Sequence, residues 1–243
     1  MLITKQPTET SKERRQLNSY RNLAKIVGIL FIIATVVIII SGFFSQSITN
    51  TDYLTSVAAN EDSVITGALL EIASAAAIVG IPIALFPVLK KHNEGLALGY
   101  VGARLFEGFF LVASTIVLLL LLSLSQAFVN APTASAASFQ TAGTLLLSAR
   151  EWSSVLLDFP FTIGAIILNY IFYKTLLVPR WASVWGIIGA TLWLVIVPLR
   201  LFGLNPPMIE ILALPIAAQE MALAGWLIVK GFNMTVINHE PHS

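Results

Sequence analysis

The chain has 243 residues, 56% of them hydrophobic and only 11% charged, with a mean hydropathy of +0.83, a balance that excludes a water-soluble globule. Fourteen Lys and Arg against thirteen Asp and Glu leave a formal charge of +1, too small a basic excess to hold nucleic acid through its phosphates. With no Cys at all, disulfides, thiolate metal sites, cysteine nucleophiles and S-palmitoylation are excluded together.

A bilayer core of about 30 Å takes about 20 mostly apolar residues per helix. The chain offers six such runs, predicted over 26–44, 64–89, 96–122, 152–173, 181–201 and 209–229. Strands of an outer-membrane barrel are shorter and alternate in polarity. The expected fold is therefore an all-α integral membrane protein, a six-transmembrane-helix bundle. Ahead of the first span, residues 1–25 form a basic segment whose TSKERRQLNSYRNLAK stretch carries a candidate helix cap at Thr10 or Ser11. It suits either a helix along the lipid headgroups or a solvated extension of the first span. The apolar run from Ile26 to Ile40 is longer than a signal-peptide core, and its exit SGFFSQS lacks a small-x-small cleavage pattern, so an uncleaved anchor is expected.

The second span carries Glu71 and Ser74, with Pro82 and Pro87 towards its end. In the third, Gly95, Gly99 and Ala103 make a small-xxx-small ridge suited to close packing within the bundle or to a homodimer face. Arg104, Glu107 and Ser114 follow it on one side. Helical composition of the fourth reaches back to Phe139, more than one span needs, so its outer end is expected to project beyond the lipid. VNAPTASAAS before it reads as a flexible connector. Glu151, Asp158, Thr162 and Asn169 of the fourth span are separated by seven, four and seven residues, which keeps them on one stripe at 3.6 residues per turn. Gly186, Trp193 and Arg200 share a face of the fifth span, and Glu220 stands in the sixth between Pro215 and Lys230.

Lys and Arg beside membrane helices stay preferentially on the cytoplasmic side. Lys5, Lys12, Arg14, Arg15, Arg21, Lys25, Lys90, Lys91, Lys174, Arg180 and Lys230 all fall at the same ends of the spans, while the loops 45–62, 125–140 and 202–209 contain neither Lys nor Arg. Both termini are thus expected to be cytoplasmic. The organisation is a basic N-terminal segment over 1–25, one membrane domain over 26–230 and a cytoplasmic tail over 231–243, in a multi-pass membrane protein.

Glu71, Arg104, Glu107, Asp158 and Glu220 lie within the spans, and Arg150, Glu151 and Arg200 near their outer ends. At about 2.5–3.5 kcal/mol each, leaving the five deeper groups in lipid would cost about 12–17 kcal/mol, more than an ordinary domain's stability. They must face one another or water inside the bundle. At 1.5 Å per residue, Glu220 stands about 15 Å from Lys230, near the midplane, and Asp158 and Glu71 stand about 24–28 Å from their basic flanks. The reading is an interior polar cavity leaning outward, with Arg104 and Glu107 near its floor and Arg150, Glu151 and Arg200 at its mouth. Phe106, Phe110 and Trp193 are expected as its apolar walls.

Five carboxylates against three Arg leave two in excess. Glu220 has only Gln219 as a polar sequence neighbour, so its ionised form is penalised unless Arg104 or a cation reaches it. The expected ligand-binding candidates are Glu71, Arg104, Glu107, Glu151, Asp158, Trp193, Arg200 and Glu220. The alternative for the Arg pairs is that they are interhelical ion pairs that fix packing. His92, His239 and His242 lie outside the spans, so no metal site is expected, and no nucleotide-binding or acyl-hydrolase signature is present. No cofactor is expected, and no catalytic residue is assigned.

Two segments, LVPRWASVWGIIGATLWLV at 177–195 and AAQEMALAGWLIVKGFN at 217–233, together with the R-L-x-E run Arg104–Glu107, resemble the bacterial membrane family known as domain of unknown function 4386. That family often has a His early in the fourth span, where this chain has Arg150, Glu151 and Trp152, so no role for it carries over. The resemblance implies a compact multi-helix protein of the bacterial cytoplasmic membrane and no particular activity.

The leading functional expectation is a non-enzymatic protein that binds or transports a small amphiphilic or cationic ligand, or a membrane lipid, with proton coupling through Glu220 as one mode. The alternatives are an intramembrane enzyme acting on a lipid or isoprenoid, with Glu107, Asp158 and Glu220 as acid and base and Arg104 or Arg200 holding an anionic head group, and a structural or regulatory membrane subunit.

Overall fold

A computed structural model describes residues 9–204 and 209–238. They form α1 (Glu9–Phe44), α2 (Tyr53–Ala59), α3 (Glu61–Leu89), α4 (Glu94–Val129), α5 (Ala136–Thr175), α6 (Arg180–Leu201), α7 (Leu214–Val229) and α8 (Met234–Asn238), with no strand among the described residues. Six helices are long and apolar enough to cross a membrane, so the protein is an all-α, multi-pass membrane protein. The predicted loop 202–209 lies partly outside the described residues, and Lys5, His239 and His242 lie wholly outside them.

The spans lie where the apolar runs place them, but their ends differ. α1 runs without a break through residue 25, and Thr10 and Ser11, expected at a cap, lie within it. α4 extends past the predicted 122 to Val129, and α5 starts at Ala136 rather than 152. At 1.5 Å per residue these two helices are about 54 and 60 Å long, roughly twice the hydrocarbon thickness. Their excess projects at the end away from the Lys residues, where α2, in the loop predicted over 45–62, packs onto them. Tyr53 and Leu54 cluster with Leu121, and Tyr53 Oη donates to the Gln140 carbonyl at 3.3 Å. A side chain at Gly143 would stand 2.6 Å from Tyr53 Oη, so only glycine admits that contact. The predicted sixth span divides into a 3-10 segment, Ile209–Ala213, and α7. Pro215 sits in the first turn of α7, where its missing N–H costs no helical hydrogen bond.

Each span packs chiefly on the spans before and after it, and α7 closes onto α1. The result is a closed ring in chain order. At the Lys-bearing end the ring is solid: Val27, Phe31, Ile81, Leu85, Leu89, Tyr100, Phe172 and Leu227 belong to one buried apolar cluster. The outward-facing surface carries Ile39, Leu69, Ile83, Phe109 and Val195, all more than half exposed, as a lipid-facing surface requires. The small-residue ridge of α4 is used inside the bundle: Gly99 lies over Ile167, and Ala103 lies over Gly164, where an added Cβ would stand 3.3 Å from Ala103 Cβ.

Candidate functional site

The ring interior away from the apolar plug holds two chambers. The inner one, about 240 Å³, is lined from all six spans, with Thr35, Ser74, Glu107, Asp158, Trp193 and Glu220 contributed by successive helices. The outer one, about 420 Å³, is lined by Glu71, Ser114, Arg150, Glu151, Ser154 and Arg200 among others. Where the sequence reading expects one cavity, the structure has two adjoining ones, with the apolar side chains of Ile38, Leu111 and Leu157 lining both.

In the inner chamber, Arg104 and Glu107 are one helical turn apart on α4, and the guanidinium Nη1 stands 2.9 Å from Glu107 Oε2. Their side chains are only 3% and 5% exposed, so this pair has almost no solvent to screen it. The Arg104 guanidinium also lies between the rings of Phe31 and Phe161, each centroid 5.9 Å away, a cation–π arrangement that keeps it from lipid. Glu220, across the chamber on α7, has its Oε1 3.9 Å from Arg104 Nη1 and a side chain 13% exposed. Among the described residues no hydrogen bond reaches Glu220. Arg104 reaches Glu220 at ion-pair range only. Tyr100 Oη and Arg104 Nε are buried nearby without a hydrogen-bond partner among the described residues.

The outer groups are more completely satisfied. Arg150 forms a close ion pair with Glu71, and its Nη1 also donates to the Ser114 carbonyl at 2.8 Å and to Ser114 Oγ at 3.2 Å. Thr115 Oγ1 donates to Glu71 Oε2 at 2.7 Å. Two charges and two hydroxyl residues thereby clamp α3, α4 and α5 together. Arg200 Nη1 donates to Asp158 Oδ2 at 2.7 Å, joining α6 to α5. Glu151, expected on the buried stripe with Asp158, is exposed.

The charges now sort themselves. Glu71 pairs with Arg150, Asp158 with Arg200 and Glu107 with Arg104. The two carboxylates in excess are Glu151, exposed at the outer chamber, and Glu220, facing the inner one.

Trp193 lines the inner chamber as expected, but Phe106 and Phe110 do not. They line an apolar groove of about 630 Å³ on the outside of α4, α5 and α6, and Phe106 is 62% exposed. The physical reason is helical phase: two residues from Arg104 is a rotation of about 200°, hence the opposite face. The second aromatic wall of the chamber is Phe161.

A polar cluster that sequence reasoning did not assemble lies between the chamber and the Lys-bearing end. Gln219 Nε2 donates to Asn169 Oδ1 and to the Ala182 carbonyl, both at 3.1 Å, and Asn169 Nδ2 donates to the Ala165 carbonyl at 2.9 Å. Gln219, 1% exposed, could have been found from its place beside Glu220 in an apolar helix, since a buried amide needs partners. Among the described residues no group of three or more His, Asp and Glu is gathered closely enough to hold a metal ion.

A family model described as Domain of unknown function (DUF4386) matches residues 26–231. Neither the curated proteins nor the solved structures include a match to the chain.

Proposed function

The chain belongs to the family described as Domain of unknown function (DUF4386), and from that premise we propose that it binds a small organic cation in the inner chamber, as a non-enzymatic binding or transport protein of the bacterial cytoplasmic membrane. One observation carries the reading: Glu220 is the carboxylate left over when each buried Arg has a closer partner, and it faces a chamber walled by Phe161 and Trp193. A buried carboxylate in excess calls for a countercharge, and aromatic faces favour an ammonium over a hydrated metal ion. At roughly 30 Å³ per water the chamber displaces about eight waters, which suits a short amphiphilic ammonium rather than a whole lipid. Arg104 cannot meet the demand alone, since Glu107 already holds it at 2.9 Å.

The test is a thermal-shift titration of the purified protein with hexyltrimethylammonium and tetraethylammonium, set beside Glu220→Gln. The native chain is expected to be stabilised by at least one of the two. Glu220→Gln should weaken that effect at least about tenfold while changing the stability of the empty protein by less than about 1 kcal/mol, because Arg104 keeps Glu107. Equal shifts in both proteins would end the reading. So would a loss of about 3–5 kcal/mol in the empty variant, which would make Glu220 a structural partner of Arg104.

The reading also takes the Lys-bearing end as cytoplasmic, so that the outer chamber faces outward, and the distribution of Lys and Arg supports it. In intact cells, Asn50→Cys and Asn130→Cys in this Cys-free chain are expected to react with an impermeant thiol reagent added outside, and Asn233→Cys is not. The opposite labelling pattern would invert the topology.

A further inference from the structure

Between the two chambers stand three side chains that line both: Ile38 from α1, Leu111 from α4 and Leu157 from α5. No other residue is common to the two linings. One ion pair crosses this collar, for Arg200 lines the outer chamber, Asp158 lines the inner one, and the two meet at 2.7 Å. An ammonium moving from the outer chamber inward passes Glu151, Arg150 and Arg200, then the three apolar side chains, and then reaches the Glu220 chamber. The opposite end of the ring offers no comparable route, since the apolar cluster around Phe31, Leu85 and Phe172 fills it.

We infer that the collar of Ile38, Leu111 and Leu157, bridged by Arg200 and Asp158, is the gate through which the ligand passes between the outer chamber and Glu220. The inference rests on the reading of Glu220 as the binding carboxylate. The elements around the gate differ in how they are held. α3, α4 and α5 are clamped by the Glu71–Arg150 pair with Ser114 and Thr115. The outer end of α6 is tied to α5 by the Arg200–Asp158 contact, and Pro198 stands two residues before Arg200 inside the helix. Proline leaves the carbonyl four residues earlier without its helical donor, so each partner of the contact sits beside a missing helical hydrogen bond, Arg200 through Pro198 and Asp158 through Pro160. Opening also has a charge logic. A cation entering the collar can take the place of Arg200 on Asp158, so the carboxylate is never left unpaired, and Arg200 swings towards the outer chamber, where Glu151 and water can receive it. A neutral or anionic solute offers Asp158 no such exchange, and the gate selects against it.

The experiment uses the absence of Cys. Ala217→Cys places a thiol in the inner chamber and Ser154→Cys places one in the outer chamber. Full-length protein is reconstituted in vesicles, and a trimethylammonium methanethiosulfonate and a sulfonate methanethiosulfonate are added in turn from the face of the Asn50 and Asn130 loops. Labelling is followed by mass. The cationic reagent is expected to label Ser154→Cys quickly in every background, and Ala217→Cys at least tenfold more slowly. Leu157→Ala should raise the rate at Ala217→Cys at least tenfold without altering that at Ser154→Cys. Arg200→Gln should raise it for the cationic reagent and much less for the sulfonate. Where Leu157→Ala fails to fold, Leu157→Val and Leu111→Val make the same comparison with a smaller expected rise. Unchanged rates across these variants, or faster labelling of Ala217→Cys from the Lys-bearing face, would overturn the gate. Labelling needs no bound ligand, so a working gate with no alkylammonium thermal shift defeats the proposed function alone, and a thermal shift with no collar effect defeats the gate alone.

Discussion

Arg104→Ala is expected to lower the stability of the protein by about 3–5 kcal/mol, measured by unfolding of the detergent-solubilised chain. The guanidinium is 3% exposed and has Glu107 at 2.9 Å and Glu220 at 3.9 Å. Its removal leaves two carboxylates facing one small chamber with no countercharge, and removes the contact with the rings of Phe31 and Phe161. The double variant Arg104→Ala with Glu107→Ala should recover at least about 2 kcal/mol of the loss, because the uncompensated charge goes with its partner. A loss below about 1 kcal/mol in the single variant would mean that the chamber is wet enough to hydrate both acids, and the cluster would not be an ion cluster at all.

Gly186→Ala should be comparably severe, about 3–5 kcal/mol from overpacking together with the loss of buried hydrogen bonds. A methyl group there would meet the Asn169 amide at 2.4 Å. Asn169 has no free direction in which to yield, because it donates to the Ala165 carbonyl and accepts from Gln219. If it moves, Gln219 loses a partner and the joint between α5, α6 and α7 opens. Asn169→Ala placed behind Gly186→Ala should relieve the clash and restore part of the stability. If the single variant melts with the native protein, α6 is free to shift away from α5, and the close approach described at Gly186 is not a constraint on the ring.

What was legible in the sequence and what was not divides along physical lines. Six apolar runs report where lipid must be, and they located six helices. They do not report where a helix ends once it leaves lipid, so α4 and α5 run past their predicted limits, and α2, seven residues among polar loop residues, was not visible. The ionisable residues of the site stood out because their cost in hydrocarbon forces them inward. Their pairing could not be read, since it depends on which helices are neighbours. Arg150, placed at the mouth from its depth, proves to be the partner of Glu71, and this follows only once α3, α4 and α5 are known to pack in order. The outward face of Phe106 is legible in the sequence itself, since two residues from Arg104 is a rotation of about 200° round the helix. Gln219 was legible as a polar residue in an apolar helix, but its role needed Asn169 and Ala182 beside it.

The chain-order ring also sets a timetable for synthesis. Glu71 and Arg150 are 79 residues apart, so at about 5–20 residues per second the acid waits roughly 4–16 s for its base to be made. Glu107 is spared that wait, since Arg104 precedes it on the same helix turn. Asp158 needs Arg200, and the ring itself stays open between α1 and the lipid until α7, the last span, arrives to close it. The nascent protein therefore passes through a stage in which Glu71 must be kept from lipid by something other than its final partner, such as the translocation channel, and the inner chamber, lined in part by Ala217 and Glu220, comes into being only with the last span.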